Sequence, residues 1–334
     1  MIKVGVIGLG KMGLLHASIL NTFTDVELVA VCEKVPIIRK FAERILSGIS
    51  VVGDVNELLS LGLDAVYITT PPSSHFPLVK AIYSKGIARN IFVEKPLAYN
   101  SAEADESCHL ADKSGGINMV GYNKRFGVTF GKAKEILDGG ELADVVSFEA
   151  HAYSSDFWGA KTASKAAASR GGVLRDLGCH AIDLALWFFG NLEIESAELS
   201  SSVNKAAEDH VHINVRTSKG SKGEFEISNC MESYRLPEVG FKVNGLDGVM
   251  KVNEDKVELR RGNGKAAVWH KQDLNDVASF CLGEPEPTRE DRFFIQSVID
   301  GHDAEPCFNT ASRVDHFIDQ VRACAEQRTR NDKS

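Results

Sequence analysis

The chain has no run approaching about 18 consecutive apolar residues, the length that a membrane-spanning helix needs. Its opening, MIKVGVIGLG, lacks the charged, apolar and small-residue layout of a secretory leader and reads as a strand that starts at once. Cysteine is scattered: Cys32, Cys108, Cys179, Cys230, Cys281, Cys307 and Cys324 are odd in number and never spaced C-x-x-C. This excludes a disulfide framework and a cysteine-based zinc site, and it fits free thiols in a reducing cytoplasm. Basic residues are in deficit, 38 Lys and Arg against 46 Asp and Glu, for a net charge of -8. That balance argues against a nucleic-acid or anionic-membrane partner, which would require a basic surface. There is no internal repeat and no low-complexity tract. What remains is an ordinary globular composition, 43% hydrophobic and 25% charged, in 334 residues, a length that suits two domains.

Residues 1–125 alternate short β-rich runs with helical stretches. The predicted strands are Lys3–Ile7, Glu27–Cys32, Val51–Val52, Ala65–Thr69, Ile91–Val93 and Asn118–Gly121, with helices near 11–22, 36–46, 75–84 and 101–113. Such alternation means crossover connections and a parallel sheet with helices on both faces. After residue 140 the pattern changes to consecutive strands: Val145–Tyr153, Ile194–Val203, Val211–Thr217, Gly223–Asn229, Phe241–Val243, Val249–Val252 and Lys256–Leu259. Turn signals at Asn244-Gly245, Asp247-Gly248 and Asn263-Gly264 point to a largely antiparallel sheet. One helix, about Asp176–Phe189, precedes most of these strands, and a helical region from Arg289 to about Glu326 closes the chain. The expected fold is α/β: an N-terminal Rossmann parallel sheet in residues 1–122, then an α+β substrate and oligomerisation domain in residues 123–334.

Gly8-Leu9-Gly10-Lys11-Met12-Gly13 is G-x-G-x-x-G, with a predicted strand before it and a predicted helix after it. Gly8 permits the tight turn, Gly10 lets backbone approach a pyrophosphate, and Gly13 allows close helix–strand packing. The helix N-terminus, including Lys11 and Met12, offers N–H groups and a positive dipole end to the phosphates. Glu33 follows Gly13 by 20 residues, at the end of the second strand, where an acidic side chain binds the adenine ribose. A carboxylate there favours NAD over NADP, but Lys34, Arg39 and Lys40 are cations able to hold a 2′-phosphate, so NADP stays open.

Two further landmarks bear chemistry. Glu94-Lys95-Pro96 follows an apolar strand, and Asp176, His180 and Asp183 recur at i, i+4 and i+7 on an otherwise apolar segment, so a regular helix would project all three from one face. Together with Gly8–Gly13 and the Asp64–Pro71 run with His75, these landmarks make the chain resemble the Gfo/Idh/MocA oxidoreductases. That resemblance implies a Rossmann domain followed by a domain with an open, mostly antiparallel sheet. It also implies hydride transfer between a nicotinamide and a carbinol carbon of a sugar, cyclitol or related polyol, without a metal. The family's catalytic lysine matches Lys95, and its aspartate–histidine pair matches Asp176 and His180. A lysine at a strand's carboxyl end is placed to steady a developing alkoxide, and a histidine suits proton transfer near neutral pH.

Softer candidates complete the set. Thr70, Pro71, His75, Glu94 and Lys95 are cofactor-side candidates, with His75 equally readable as a structural helix-start residue. Lys95, Tyr122, Arg125, Trp158, Asp176 and His180 are candidate substrate contacts, and Lys161, Lys165 and Arg170 are anion attractors in the 154–170 link. Asp183 reads as a support for the helix or the histidine, and His16 as structural. An open sheet face is expected to expose apolar surface and to favour a homo-oligomer, a dimer or tetramer. Family diversity leaves two other functions: an NAD-retaining glycosidase or sugar–sugar oxidoreductase, and a non-catalytic dinucleotide-binding regulator.

Overall fold

The computed structural model describes residues 1–158, 171–202, 207–276 and 285–331. The chain forms two compact units, Met1–Asn123 with Ala278–Asp315, and Lys124–Val277 with His316–Ser334.

In the first unit, six parallel strands form one sheet: β1 (Ile2–Ile7), β2 (Val26–Cys32), β3 (Ser50–Val52), β4 (Ala65–Ile68), β5 (Asn90–Glu94) and β6 (Asn118–Gly121). Their order is β3-β2-β1-β4-β5-β6, the doubly wound arrangement in which ligands gather outside the carboxyl ends of the strands where the order reverses. The crossovers are α1 (Lys11–Leu20), α2 (Pro36–Ile45), α3 (His75–Lys85) and α4 (Ser101–Ser114), with a short 3₁₀ helix at Val55–Leu61 leading into β4. Helix α4 starts where Asn100 accepts a hydrogen bond from the Glu103 N–H at 2.9 Å and stops at Gly115, in the left-handed region at φ 62°. Strand β4 is buried along its whole length, as sequence apolar on both faces requires.

The boundary expected after residue 122 falls one residue from the observed division, but the second domain is not continuous. Residues of the C-terminal helical region return to the first unit, because Asp291 closes on buried His16 and Phe294 packs edge-on against Tyr67 and Phe92. The backbone N–H of Val120 in β6 also donates to Pro306 O at 2.9 Å.

In the second unit, α5 (Val128–Asp138) precedes β7 (Val145–Tyr153). Helix α6 (Cys179–Phe189) precedes β8 (Leu192–Ser200), β9 (His210–Thr217), β10 (Lys222–Ser228), β11 (Glu238–Gly245), β12 (Gly248–Val252), β13 (Lys256–Arg261) and β14 (Ala266–His270). The eight-stranded sheet runs β14-β13-β12-β11-β7-β10-β9-β8, and only the β7–β10 pair is parallel. One face is apolar: Phe148 stacks on Phe189 at 4.3 Å, Phe241 meets Phe188 at 5.3 Å, and Phe225 lies 5.9 Å from Phe317. The other face is not the apolar surface expected from sequence. Strict alternation sends Glu149, His151, His212, Glu224, Glu226 and Lys242 outward, so this face is a polar, ion-paired surface.

Other differences from the sequence reading are local. The hairpin between β11 and β12 turns at Leu246-Asp247, with Gly245 paired to Gly248, so Asn244 stays in the strand. The closing helical region is two helices, α7 (Pro285–Asp300) and α8 (Phe308–Asn331), parted by a segment with a cis Glu305-Pro306 bond. Helix α5 and strand β14 were not foreseen.

Candidate active site

The glycine turn lies between β1 and α1. Gly8 has φ 93°, in the left-handed region, and a Cβ there would meet Thr70 Cγ2 at 2.7 Å. A Cβ on Gly13 would collide with the carbonyl oxygen of Gly8, whereas one on Gly10 would meet nothing within 4 Å. Gly10 is the N-cap of α1, with no side-chain cap and no acidic residue in the first turn. The helix therefore presents its positive end to open space beside an exposed glycine, and the residues fit a pyrophosphate. Lys11 is exposed and Met12 half-buried at this end. Buried Thr69, just past the end of β4, clamps the turn: its hydroxyl reaches Ile7 O at 3.0 Å and Gly8 O at 2.7 Å. We expect Gly13→Ala to destabilise the fold by about 1–3 kcal/mol and to abolish the NADH-dependent rise in melting temperature; thermal unfolding with and without NADH checks both.

Glu33 stands where spacing placed it, just past β2. One carboxylate oxygen accepts from Leu9 N and the other from Val35 N, each at 2.8 Å, which ties the acid to the glycine turn. Lys34 is exposed. The Arg39 guanidinium is engaged by the carbonyls of Glu33 and Lys34, both at 2.8 Å.

Strands β1, β4 and β5 are neighbours, so Gly8, Thr69-Thr70 and Lys95 emerge side by side at their carboxyl ends. Thr70 is half-buried, its hydroxyl accepting from Ser74 Oγ at 2.8 Å, and Pro71 is exposed. His75 takes the structural of its two readings. It is fully buried, with Nδ1 2.8 Å from Pro96 O and Nε2 2.7 Å from Thr70 O, so it staples the loop after β4 to the loop after β5. Burial holds its pKa below the ordinary value, so the neutral ring donates to one carbonyl at a time.

Glu94 also turns inward, away from the cofactor role expected of it. Its Oε1 meets His16 Nε2 at 2.9 Å and its Oε2 accepts from the Lys95 N–H at 3.1 Å. On the far side of the ring, His16 Nδ1 lies 2.7 Å from Asp291 Oδ1. Burial opposes charge on His16, but Asp291 and Glu94 together outweigh it and raise its pKa well above the ordinary value. Burial likewise opposes charge on Glu94, but His16 and Lys95 prevail and lower its pKa. For Asp291 burial wins, and its pKa is raised. A buried cation thus grips the carboxylate that in turn holds the Lys95 backbone. Lys95 itself is half-buried and precedes a cis bond to Pro96. Tyr122, expected to touch substrate, is fully buried in the first unit.

In the second unit the polar stripe is only partly as expected. Leu174–Gly178 is one π-helical turn and α6 proper starts at Cys179, so Asp176 and His180 do not share one regular helix. The backbone presses close here: a Cβ on Gly178 would lie 2.8 Å from Ile227 Cδ1 in β10. Asp176 and His180 are both half-buried, while Asp183 is buried. Asp183 accepts two hydrogen bonds from Arg125, at 2.8 and 2.7 Å, and that guanidinium lies 5.6 Å from the Trp187 ring centre. Arg125, expected as a substrate contact, is thus held against α6 by Asp183. Fully buried Arg175, missed in the sequence, reaches Asp319 at 3.2 Å. Trp158 is 54% exposed and lines a cavity of about 650 Å³ with Ser200, Asp209, His210 and Met231, among others; neither Asp176 nor His180 is part of its lining. Lys161, Lys165 and Arg170 lie outside the described residues.

The strand order, the open glycine turn and the acid after β2 define a dinucleotide-binding protein of the Rossmann class. The chain belongs to the GFO/IDH/MocA family: residues 2–122 match its NAD-binding Rossmann domain and residues 130–251 its C-terminal domain. It is similar to inositol 2-dehydrogenase of Rhizobium meliloti, 24% identical over 98% of both chains. It is also 28% identical to the NAD⁺-dependent scyllo-inositol 2-dehydrogenase of Bacillus subtilis, over 57% of this chain and 54% of that one. Among solved structures, levoglucosan dehydrogenase in complex with NADH superposes with a TM-score of 0.87 at 19% identity, covering 98% of this chain and 97% of the other. No helix among the described residues is long and apolar enough to cross a membrane.

Proposed function

We propose that the chain is an NAD-dependent dehydrogenase that moves a hydride between the nicotinamide and a carbinol carbon of a cyclitol, sugar or related polyol. The observation that carries this reading is the row formed by the open glycine turn, Thr69-Thr70 and Lys95 along the carboxyl ends of three adjacent strands. The full-length similarity to an inositol dehydrogenase supports the substrate class. Gly8, Gly10, Lys11, Met12 and Gly13 hold the pyrophosphate, Glu33 the adenine ribose, and Thr70 and Pro71 border the nicotinamide side. Residues 1–122 carry these contacts, and residues 123–334 supply most of the rest.

When bound, the nicotinamide supplies the hydride acceptor. The Lys95 ammonium donates to the carbinol oxygen and steadies its developing negative charge. His180 takes the hydroxyl proton, and Asp176 orients the imidazole or the substrate. In the reverse direction the same histidine returns that proton to the carbonyl oxygen. The grip of His16 on Glu94 keeps the Lys95 backbone in place.

A screen of polyols, sugars and sugar acids with NAD and NADP side by side, read by nicotinamide absorbance, tests the reading. We expect turnover of at least one cyclitol or sugar with NAD preferred, and Glu33→Ala should narrow that preference by removing the carboxylate that repels a 2′-phosphate. Turnover of none, or a strong NADP preference that Glu33→Ala leaves untouched, contradicts it. A dimer or tetramer and residence in the cytoplasm belong to the same proposal, checked by sedimentation and by cell fractionation.

A further inference from the structure

Strand pairing on the outer face of the eight-stranded sheet gathers side chains that are far apart in sequence. His212 stands opposite Glu226 in the antiparallel β9–β10 ladder, and Glu224 lies two residues along β10 on the same face. His212 Nδ1 is 2.8 Å from Glu226 Oε2 and 3.6 Å from Glu224 Oε1. One ligand atom from each of the three lies within 4.8 Å of the others, which no other group of three such side chains achieves among the described residues. We propose that His212, Glu224 and Glu226 form a binding site for a divalent cation of the zinc class.

The donor set fits that class. Imidazole nitrogen and carboxylate oxygen are zinc ligands at about 2.0–2.2 Å, and three protein ligands leave one position for water. Two carboxylates converge on one ring nitrogen, although that nitrogen has a single proton to give and the Glu224 contact exceeds hydrogen-bond length. A cation between the three atoms satisfies both carboxylates at once and requires only rotation of side chains 30–51% exposed.

The surroundings supply the outer contacts that metal ligands use. His210 Nε2 meets the other Glu226 oxygen at 3.0 Å, which orients that carboxylate. The Asn214 carboxamide lies 3.1 Å from His212 Nε2, so with its oxygen turned inward it accepts the Nε2 proton and leaves Nδ1 free to ligate. Glu149, beside Glu224 in the next strand, is engaged by Lys242 at 2.6 Å and adds no unbalanced charge. Such a cation clips β9 to β10 on a face that water reaches. The site shares no residue with the proposed catalytic set Lys95, Asp176 and His180, and no part in hydride transfer is assigned to it.

The test is calorimetric titration of zinc chloride into the full chain after EDTA treatment and desalting, with the stoichiometry read by native mass spectrometry. One zinc per chain is expected, with a higher melting temperature in its presence. His212→Gln, which keeps a polar side chain but loses the ring nitrogen, and Glu226→Gln should each remove the bound equivalent while leaving the zinc-free melting temperature nearly unchanged. His210→Gln should weaken binding by about 10–100-fold through loss of an orienting contact. No zinc uptake, or uptake that His212→Gln and Glu226→Gln leave intact, overturns the proposal.

Discussion

Lys95→Met is expected to lower kcat for polyol oxidation by about 10²–10³-fold, the usual cost of losing one donor to a developing oxyanion. NADH affinity should stay nearly unchanged, because the glycine turn and Glu33 are untouched. The effect should fall on kcat more than on KM, since the ammonium matters most when the oxygen carries charge. His180→Ala should cost about 10²–10⁴-fold by removing the acid/base group. Steady-state kinetics together with NADH fluorescence titration separate chemistry from binding. Unchanged turnover in either variant removes that residue from the mechanism, and unchanged turnover in both favours a protein that only binds dinucleotide.

The second large effect lies beneath the site. His16→Ala leaves two buried carboxylates, Glu94 and Asp291, facing each other without the ring between them. Removing one partner of a buried ionic group costs about 3–5 kcal/mol, or a fall in melting temperature of roughly 6–20 °C for a domain of this size. Activity should fall as well, because Glu94 fixes the Lys95 backbone; the conservative His16→Gln, which can still donate to Glu94, should recover part of the activity but not the charge. The pH dependence has a definite sign. His16 binds its proton more tightly folded than unfolded, so its contribution is complete below its ordinary pKa and is lost as pH rises through the higher folded value. Asp291, raised by burial, follows the same direction. Glu94 is lowered, so its contribution is present above the ordinary carboxylate range and is lost as pH falls through the folded value. Denaturant unfolding from acid to alkaline pH should show stability lost at high pH in the wild type, and that loss should flatten in His16→Gln.

What the sequence revealed followed from how local each signal is. Gly8, Gly10, Gly13 and Glu33 sit where expected because the β–α–β unit that needs them spans a few dozen contiguous residues. Alternation of apolar and polar residues was enough to find seven of the eight strands in the second sheet. Strand β14 escaped because Ala266–His270 is largely exposed at the sheet edge and has no buried stripe to announce it. The misplaced side chains share one cause: their partners are distant in sequence. Glu94 looks cofactor-facing until His16, 78 residues before it, takes its Oε1, while Asp291, 275 residues from His16, holds the far side of that ring. Arg125 looks free for substrate until Asp183 occupies it across 58 residues. Which of its two readings His75 takes is decided by the carbonyls of Thr70 and Pro96 that enclose it. The π-helical turn at Leu174–Gly178, where Gly178 lies against Ile227 of β10, is not encoded in the local spacing of Asp176 and His180.

The central claim is that Lys95 and His180 act on the same carbinol. A double-mutant cycle tests it most directly: single-turnover hydride transfer with saturating NAD and the best substrate from the polyol screen, measured for Lys95→Met, His180→Ala and the pair. Groups that serve one reacting oxygen lose rate non-additively, so the double variant should be little slower than the worse single variant. If the two losses multiply as independent factors, the residues do not share a substrate and the account is wrong.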